Sequence, residues 1–596
     1  MIRTASLSMR TLALLIAGLL VLSSLACGGD DNNNNGTNNT TGTNNSTNTG
    51  ELGPNLDSVD FSGSVTLKDR EEDPSKPDYY ATKQLLVSGN LTIEPGVVIE
   101  FEPGSGLNLT GSGVLKAEGT STKGIVLKER TTDPWLGVTL NSSGLHRMVY
   151  VTVNKAGRDS GGGANVSVTA GELDLKDSTL SASAKYGLIV DGGKLGSATA
   201  NVTVTSSADA AVYTGITSAK TLGAFTFDQN THVAVYSDED SSNGHTTALT
   251  LPALSVPYRL TGDASLDISE GGSLTIDAGV QLGFDEALGL SAASTGKITT
   301  NGTADRPVRL YSWTEGKSWT GVYLTGAGQS SFTHTTIERG GGGTYTTQNY
   351  AAGLSVGADS NPATGVTMDH VTISSSAAVG LALAGFGSTF TATAVEIKDA
   401  AGEAVRVGDL EQLGTLGAEI KVTGGAKPYI QVDDYTTLSD DLTISTTGAP
   451  IHLTDDLSFE STLTIASGVE LRFAEGTGMY VSGTLKIGGT AEKKVVLGAI
   501  SDTAGGWGGI QIKTNNDNTI AHAEIKQGGG TAFDFIGDKG TIVLGDGLET
   551  YGKLTMSDTT ISSSAGWGIF LFSILDADLT LTNVTYSGNT SGDVNE

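Results

Sequence analysis

Three acid clusters are the first residues in this chain that could do chemistry: Asp69, Glu71, Glu72 and Asp73; Asp238, Glu239 and Asp240; and Asp433 and Asp434. Carboxylates grouped in this way are hard oxygen ligands and could hold Ca²⁺. Their spacing matches neither an EF-hand loop nor the Gly-Gly-x-Gly-x-Asp β-roll repeat, so solvated loop acids are the simpler reading. The seven histidines, His146, His232, His245, His334, His370, His452 and His522, form no HExxH or HxxxH pair. Gly161–Gly163, Gly340–Gly343 and Gly528–Gly530 lack the Lys-Ser/Thr that completes a phosphate loop, so they read as turns needing positive φ. Trp135, Trp319 and Trp507 each stand two residues before a glycine, and a shared packing role explains them better than sugar stacking.

The elements that must carry these residues repeat. "LTIEPGVVIEF" (91–101) returns as "LTIDAGVQLGF" (274–284) and "LTIASGVELRF" (463–473). "GTSTKGIVL" (119–127) matches "GTADRPVRL" (302–310) and "GTAEKKVVL" (489–497), and "WLGVTL" matches "WTGVYL" and "WGGIQI". The long repeat is about 185 residues. Within it, apolar pairs such as Leu91/Ile93 and Ile125/Leu127 alternate with polar residues, the strand period of two, and Gly, Asn, Asp and Ser separate them. Equivalent tracts return about every 22 residues, which predicts stacked coils of short strands rather than propeller blades. At a strand spacing of about 4.8 Å the stack would be roughly 110 Å long. In the opening phrase, Leu91, Ile93, Val97, Ile99 and Phe101 should face inward, with Gly96, Gly279 and Gly468 at the bend.

These phrases resemble the right-handed parallel β-helix proteins of the pectin-lyase-like superfamily, and in particular secreted bacterial β-helix-repeat proteins. The resemblance covers about residues 56–596 and implies an all-β, right-handed parallel β-helix solenoid of three long repeats. Their bounds are about 80–256, 257–449 and 450–596, with 56–79 as partial leading coils. It implies little about activity, because the superfamily spans lyases, hydrolases and adhesins. Polygalacturonase-like motifs are incomplete here: Asp-Asp occurs, whereas Gly-His-Gly and Arg-Ile-Lys do not. No catalytic residue is assigned, and a divergent polysaccharide lyase or glycoside hydrolase stands as the alternative to a binding rod.

The copies differ most after the glycine loop. The first has "ANVSVTAGE"; the others have "TYTTQNYAAGLSVGADSNPATG" and "TAFDFIGDKGTIVLGDGLETYGK". Insertions at matched positions should stack on one face of a solenoid, making Tyr345, Tyr350, Phe533 and Phe535 binding-face candidates for a polysaccharide or a surface protein.

The N-terminus reads as an address. Residues 1–26 place two arginines before the apolar run "TLALLIAGLLVL" and the small residues of "SSLA", ahead of Cys27, the single cysteine. This order resembles a bacterial lipoprotein signal, which implies lipid on Cys27, a membrane as partner, and delivery across the inner membrane. By the same resemblance, Gly28 after the cysteine implies delivery to the outer membrane or cell surface. Residues 27–55, rich in Asn, Gly and Thr, carry too little apolar surface for a core and should act as a tether of about 25–30 Å. The net charge of −30 disfavours nucleic acid. The last segment, "LTLTNVTYSGNTSGDVNE", stops about two-thirds of the way through a repeat, where a coil edge would be open to pairing with another chain.

Overall fold

A computed structural model describes residues 53–158, 163–238, 244–326, 328–344, 350–358, 362–384, 387–408, 410–416, 420–433, 438–445, 448–533, 537, 539–546, 552–572 and 578–595. Cys27, the leader and most of the tether lie outside these residues, as do Glu239, Asp240, Asp434, Tyr345 and Phe535.

The body is a parallel β-solenoid of about 19 turns. Half the chain is strand and 3% is helical. Among the described residues every strand pairing is parallel, between one coil and the next. Leu91 pairs with Leu115, Leu188 with Val212 and Leu463 with Leu485. The step is not uniform. It runs from 20 residues, Tyr79 to Ile99, to 36 residues, Ile520 to Met556. Coils can differ in length because only the strands must keep register.

Each regular coil contributes a strand to three ladders. In the first copy of the phrase they are Asn90–Ile93 (β1), Val98–Phe101 (β2) and Gly106–Gly111 (β3). Inward residues form continuous aliphatic rows: Leu91, Ile93, Val97, Ile99 and Phe101 are all buried, as expected. Gly96, Gly279 and Gly468 have φ of 96°, 87° and 81°, so the bend between β1 and β2 needs a residue free of the Cβ penalty.

The three tryptophans fill matched corners. Each is fully buried and stacks on the phenylalanine that closes the phrase: Trp135 on Phe101 at 4.2 Å, Trp319 on Phe284 at 4.0 Å and Trp507 on Phe473 at 4.4 Å. Each indole N–H donates to a backbone carbonyl of the next coil, on Asn154, Glu338 and Lys526. The indole is therefore both core volume and a tie between coils.

The stretch that accepts each indole bond is bracketed by two left-handed residues: Tyr150 and Lys155, His334 and Arg339, and His522 and Gln527. A one-residue left-handed corner turns the chain sharply from one ladder to the next. Tyr150, His334 and His522 thus share a backbone task, which explains why tyrosine and histidine interchange there. In the second copy the strand Ser331–Glu338 (β6) runs through the His334 corner and pairs in two ladders at once.

The repeat is not a whole number of turns. From β3 the ladder climbs seven rungs, through Val138–Ser142, Ala164–Val168, Tyr186–Val190, Val212–Gly215, Val233–Tyr236 and Tyr258–Leu260, to Gln281–Phe284 (β4). But β4 is the second copy's counterpart of β2, not of β3. The next copy does the same: Gly289–Ala292 reaches Glu470–Phe473 in seven rungs. Each long repeat therefore makes seven turns and one further face. Short helical segments, Ile216–Ala224 and Leu410–Leu416, replace a strand shortly before each handover. The sequence Thr-Leu-Gly-Ala ends the first, at 221–224, and recurs at 415–418, starting within the second.

That extra face corrects the expectation that the insertions stack together. The insertion of the second copy flanks Ala352–Val356, and that of the third flanks Gly540–Leu544. These strands belong to different ladders.

Candidate functional site

Most of the outer surface consists of single polar side chains between buried ones, as a solvated sheet face requires. One patch departs from this, on the outer face of the ladder that holds β3 and β4. Its outward row is Tyr213, Ala234, Arg259, Gly283 and Tyr311 on successive rungs. Tyr186, Tyr213 and Tyr236 stack along it with centroids 5.6 and 5.1 Å apart, and Tyr236 donates to Asp191 at 2.6 Å.

Trp313 follows the strand Val308–Ser312 (β5) and folds back across Gly283. A Cβ at Gly283 would lie 2.7 Å from Cε3 of the indole, so the ring occupies the space of the missing side chain. His232 meets the indole at 4.8 Å and the Arg259 guanidinium lies 5.6 Å from its centre. Burial and the Arg259 charge hold His232 below the usual imidazole range. It is neutral at pH 7. Arg259 makes a two-pronged pair with Asp285, at 2.9 and 3.1 Å. Arg309 lies over the Tyr311 ring at 4.2 Å and donates through Nε and Nη2 to a single oxygen of Glu338, at 2.9 and 2.7 Å. That oxygen is Oε2, and among the described residues no hydrogen bond reaches Oε1. Arg309, Tyr311, Ser312, Trp313, Glu315, Glu338 and Arg339 line an open cleft of about 270 Å³.

The Tyr311 and Trp313 pair of this patch is particular to the second copy. The residues matching Tyr311 and Trp313 are Lys128 and Arg130 in the first copy, and Gly498 and Ile500 in the third. Across the ladder the matched pairs are Glu100 with Lys128, Gly283 with Tyr311, and Arg472 with Gly498. In the third copy the large side chain comes from the lower rung instead, and Arg472 binds Glu470 and Asp502. An aromatic pair where the sister copies have charged residues or glycine and isoleucine is the available sequence signal. The signal is faint in one dimension because the glycine that makes room lies 30 residues from Trp313.

The structure brings two of the singled-out residues together. Tyr350 donates to Asp433 at 2.5 Å, 83 positions away in sequence, and the Arg406 guanidinium pairs with the same carboxylate and lies over the Tyr350 ring at 4.3 Å. Burial and the Asp433 carboxylate push the Tyr350 phenol up to about 12. Tyr350 also packs on the buried outward residues Ala352, Val379 and Ala382. Phe533 meets Tyr480 edge-on at 5.4 Å, on another ladder. Asp238 is bonded to Thr217. Among the described residues no group of three or more His, Cys, Asp or Glu side chains is arranged to hold a metal ion.

A second cleft, of about 420 Å³, is lined by Asp263, Ser265, Asp267 and Thr320. Burial holds the Asp267 carboxyl above its usual range, against a hydrogen bond from Ser291 at 2.7 Å and the nearby His245.

Fold and surface together define a parallel β-solenoid with aromatic and ion-paired clusters on its outer ladders. No protein-family profile matches the chain. One stretch is similar to protein bark beetle of Drosophila melanogaster, 43% identical over 75 residues. That stretch is 12% of this chain and 2% of the fly protein.

Proposed function

We propose that the protein is a bacterial cell-surface lipoprotein, a β-helix of the pectin-lyase-like kind held through lipid on Cys27 and serving as a binding rod. Its ligand is a polysaccharide or another component of a cell surface. The observation that carries the binding role is the Trp313 cleft, where an aromatic pair that the matched positions of the other two repeats lack sits beside paired charges. Aromatic faces flanked by fixed polar groups are the usual means of holding a partner that is apolar on one side and hydroxylated at its edges. The test is a screen of the full chain against plant and bacterial glycans, scored for binding and for product release. Binding without release, lost in Trp313→Ala, supports the reading. An unchanged profile in that variant removes the cleft from it.

A second reading, a divergent glycoside hydrolase or lyase, draws on the Asp263 and Asp267 cleft. A carboxyl whose proton affinity is raised by burial is the starting point for a general acid. Reducing ends or unsaturated sugars released by wild type and absent in Asp267→Asn would establish it.

A further inference from the structure

We infer that the Trp313 cleft receives an uncharged linear glycan that runs along the ladder, one sugar to each rung, from Trp313 towards Ser374. The inference rests on the binding role proposed above and names its ligand.

Three observations carry it. The cleft is balanced in charge, with Arg309 and Arg339 set against Glu315 and Glu338, and the two arginines nearest the rings, Arg259 and Arg309, are already held by carboxylates. An anionic ligand would gain no free pair of cations there. An uncharged ligand keeps both ion pairs, stacks its apolar face on the indole, and finds the open Oε1 of Glu338 as a hydroxyl acceptor.

The second observation is the direction of the polar row. Tyr311 is followed on successive rungs by Glu338, Ser374 and Lys398, and Arg309 by Thr336, Thr372 and Glu396. All eight side chains are partly exposed. Rungs stand about 4.8 Å apart, close to the length of one pyranose in an extended chain. A glycan lying on this face meets a similar pair of polar groups at every sugar.

The third is the ring itself. Trp313 lies over Gly283 and against His232 and Arg259, so its position is fixed before any ligand arrives. A ring held in place loses little freedom on binding.

The test is calorimetric titration of the full chain with cello-, chito- and β-1,3-gluco-oligosaccharides of two to six sugars, with oligogalacturonides of the same lengths as the acidic arm. The expected result is one neutral series whose affinity rises about tenfold from disaccharide to tetrasaccharide and then levels. Trp313→Ala abolishes binding at every length. The double variant Thr372→Ala, Ser374→Ala weakens only the tetrasaccharide and longer chains, by several-fold. Trp313→Phe, which keeps a ring, retains part of the affinity. Equal affinity at all lengths overturns the axial path and leaves the binding role standing. Tighter binding of oligogalacturonides overturns the charge assignment. Binding of a surface protein at Trp313, with no sugar binding, overturns the glycan and spares the rod. No ligand of any class at Trp313 overturns both.

Discussion

The Trp313 indole fills the place of the side chain that Gly283 lacks; a Cβ on Gly283 would stand 2.7 Å from Cε3. The two residues lie on neighbouring rungs, and the ring position follows from the glycine. Gly283→Val should lift the indole from the sheet, cost about 1–3 kcal/mol from overpacking, and reduce any Trp313-dependent binding. Urea denaturation and ligand titration on the same variant check this. Wild-type values in both would show that the contact positions nothing.

Tryptophans of the same chain should respond very differently to truncation. Trp319 is fully buried, stacks on Phe284 and donates to Glu338. Trp319→Ala should cost about 3–5 kcal/mol, the range for a buried aromatic. Trp313→Ala, at a part-exposed position, should stay below about 1 kcal/mol. Denaturation midpoints of the two variants side by side make the comparison.

Gly321, two residues after Trp319, has a φ of 112°, and a Cβ there would sit 2.2 Å from the carbonyl oxygen of Ala352 on the next coil. Gly321→Ala should therefore destabilise by about 2 kcal/mol or more, through strain and lost coil pairing together. A thermal melt no lower than wild type would contradict it.

His452 stacks on Tyr429 at 3.8 Å, and burial, with Arg472 nearby, lowers its imidazole to about 4. The unfolded chain then binds the proton more readily than the folded one. Its contribution to stability is complete above pH 6.5 and is lost as the pH falls towards 4. His452→Gln should flatten the stability profile across that window, measured by denaturation at stepped pH.

Tyr350 and Asp433 should be coupled. A hydrogen bond to a charged acceptor contributes about 1.5–3 kcal/mol, and a cycle of Tyr350→Phe, Asp433→Asn and the double variant should return a coupling of that order. The raised phenol also has a sign: its share of stability is present below pH 10 and lost as the pH rises towards 12. Tyr350→Phe should remove that share of the alkaline loss.

The solenoid was legible because strand period, turn glycines and inward apolar rows are all local. Leu91, Ile93 and Phe101 declare their faces within a few residues, and the shared task of the three tryptophans shows in their matched spacing. The sites were not legible for the opposite reason. Gly283 and Trp313, or Tyr350 and Asp433, meet only because coils of unequal length stack, and sequence distance says nothing of which rung lies beside which. The same blindness explains the misplaced insertions. A repeat of about 185 residues looks like a whole period in one dimension, while the coils divide it into seven turns and one face.

That extra face gives the molecule three differently oriented sides from one sequence pattern. Matched strands of successive repeats lie on different ladders, so a flat partner can meet only one of them at a time. Duplicating the unit therefore multiplies directions rather than valency. A change confined to one repeat alters a single bearing of the solenoid and leaves what the other sides touch undisturbed.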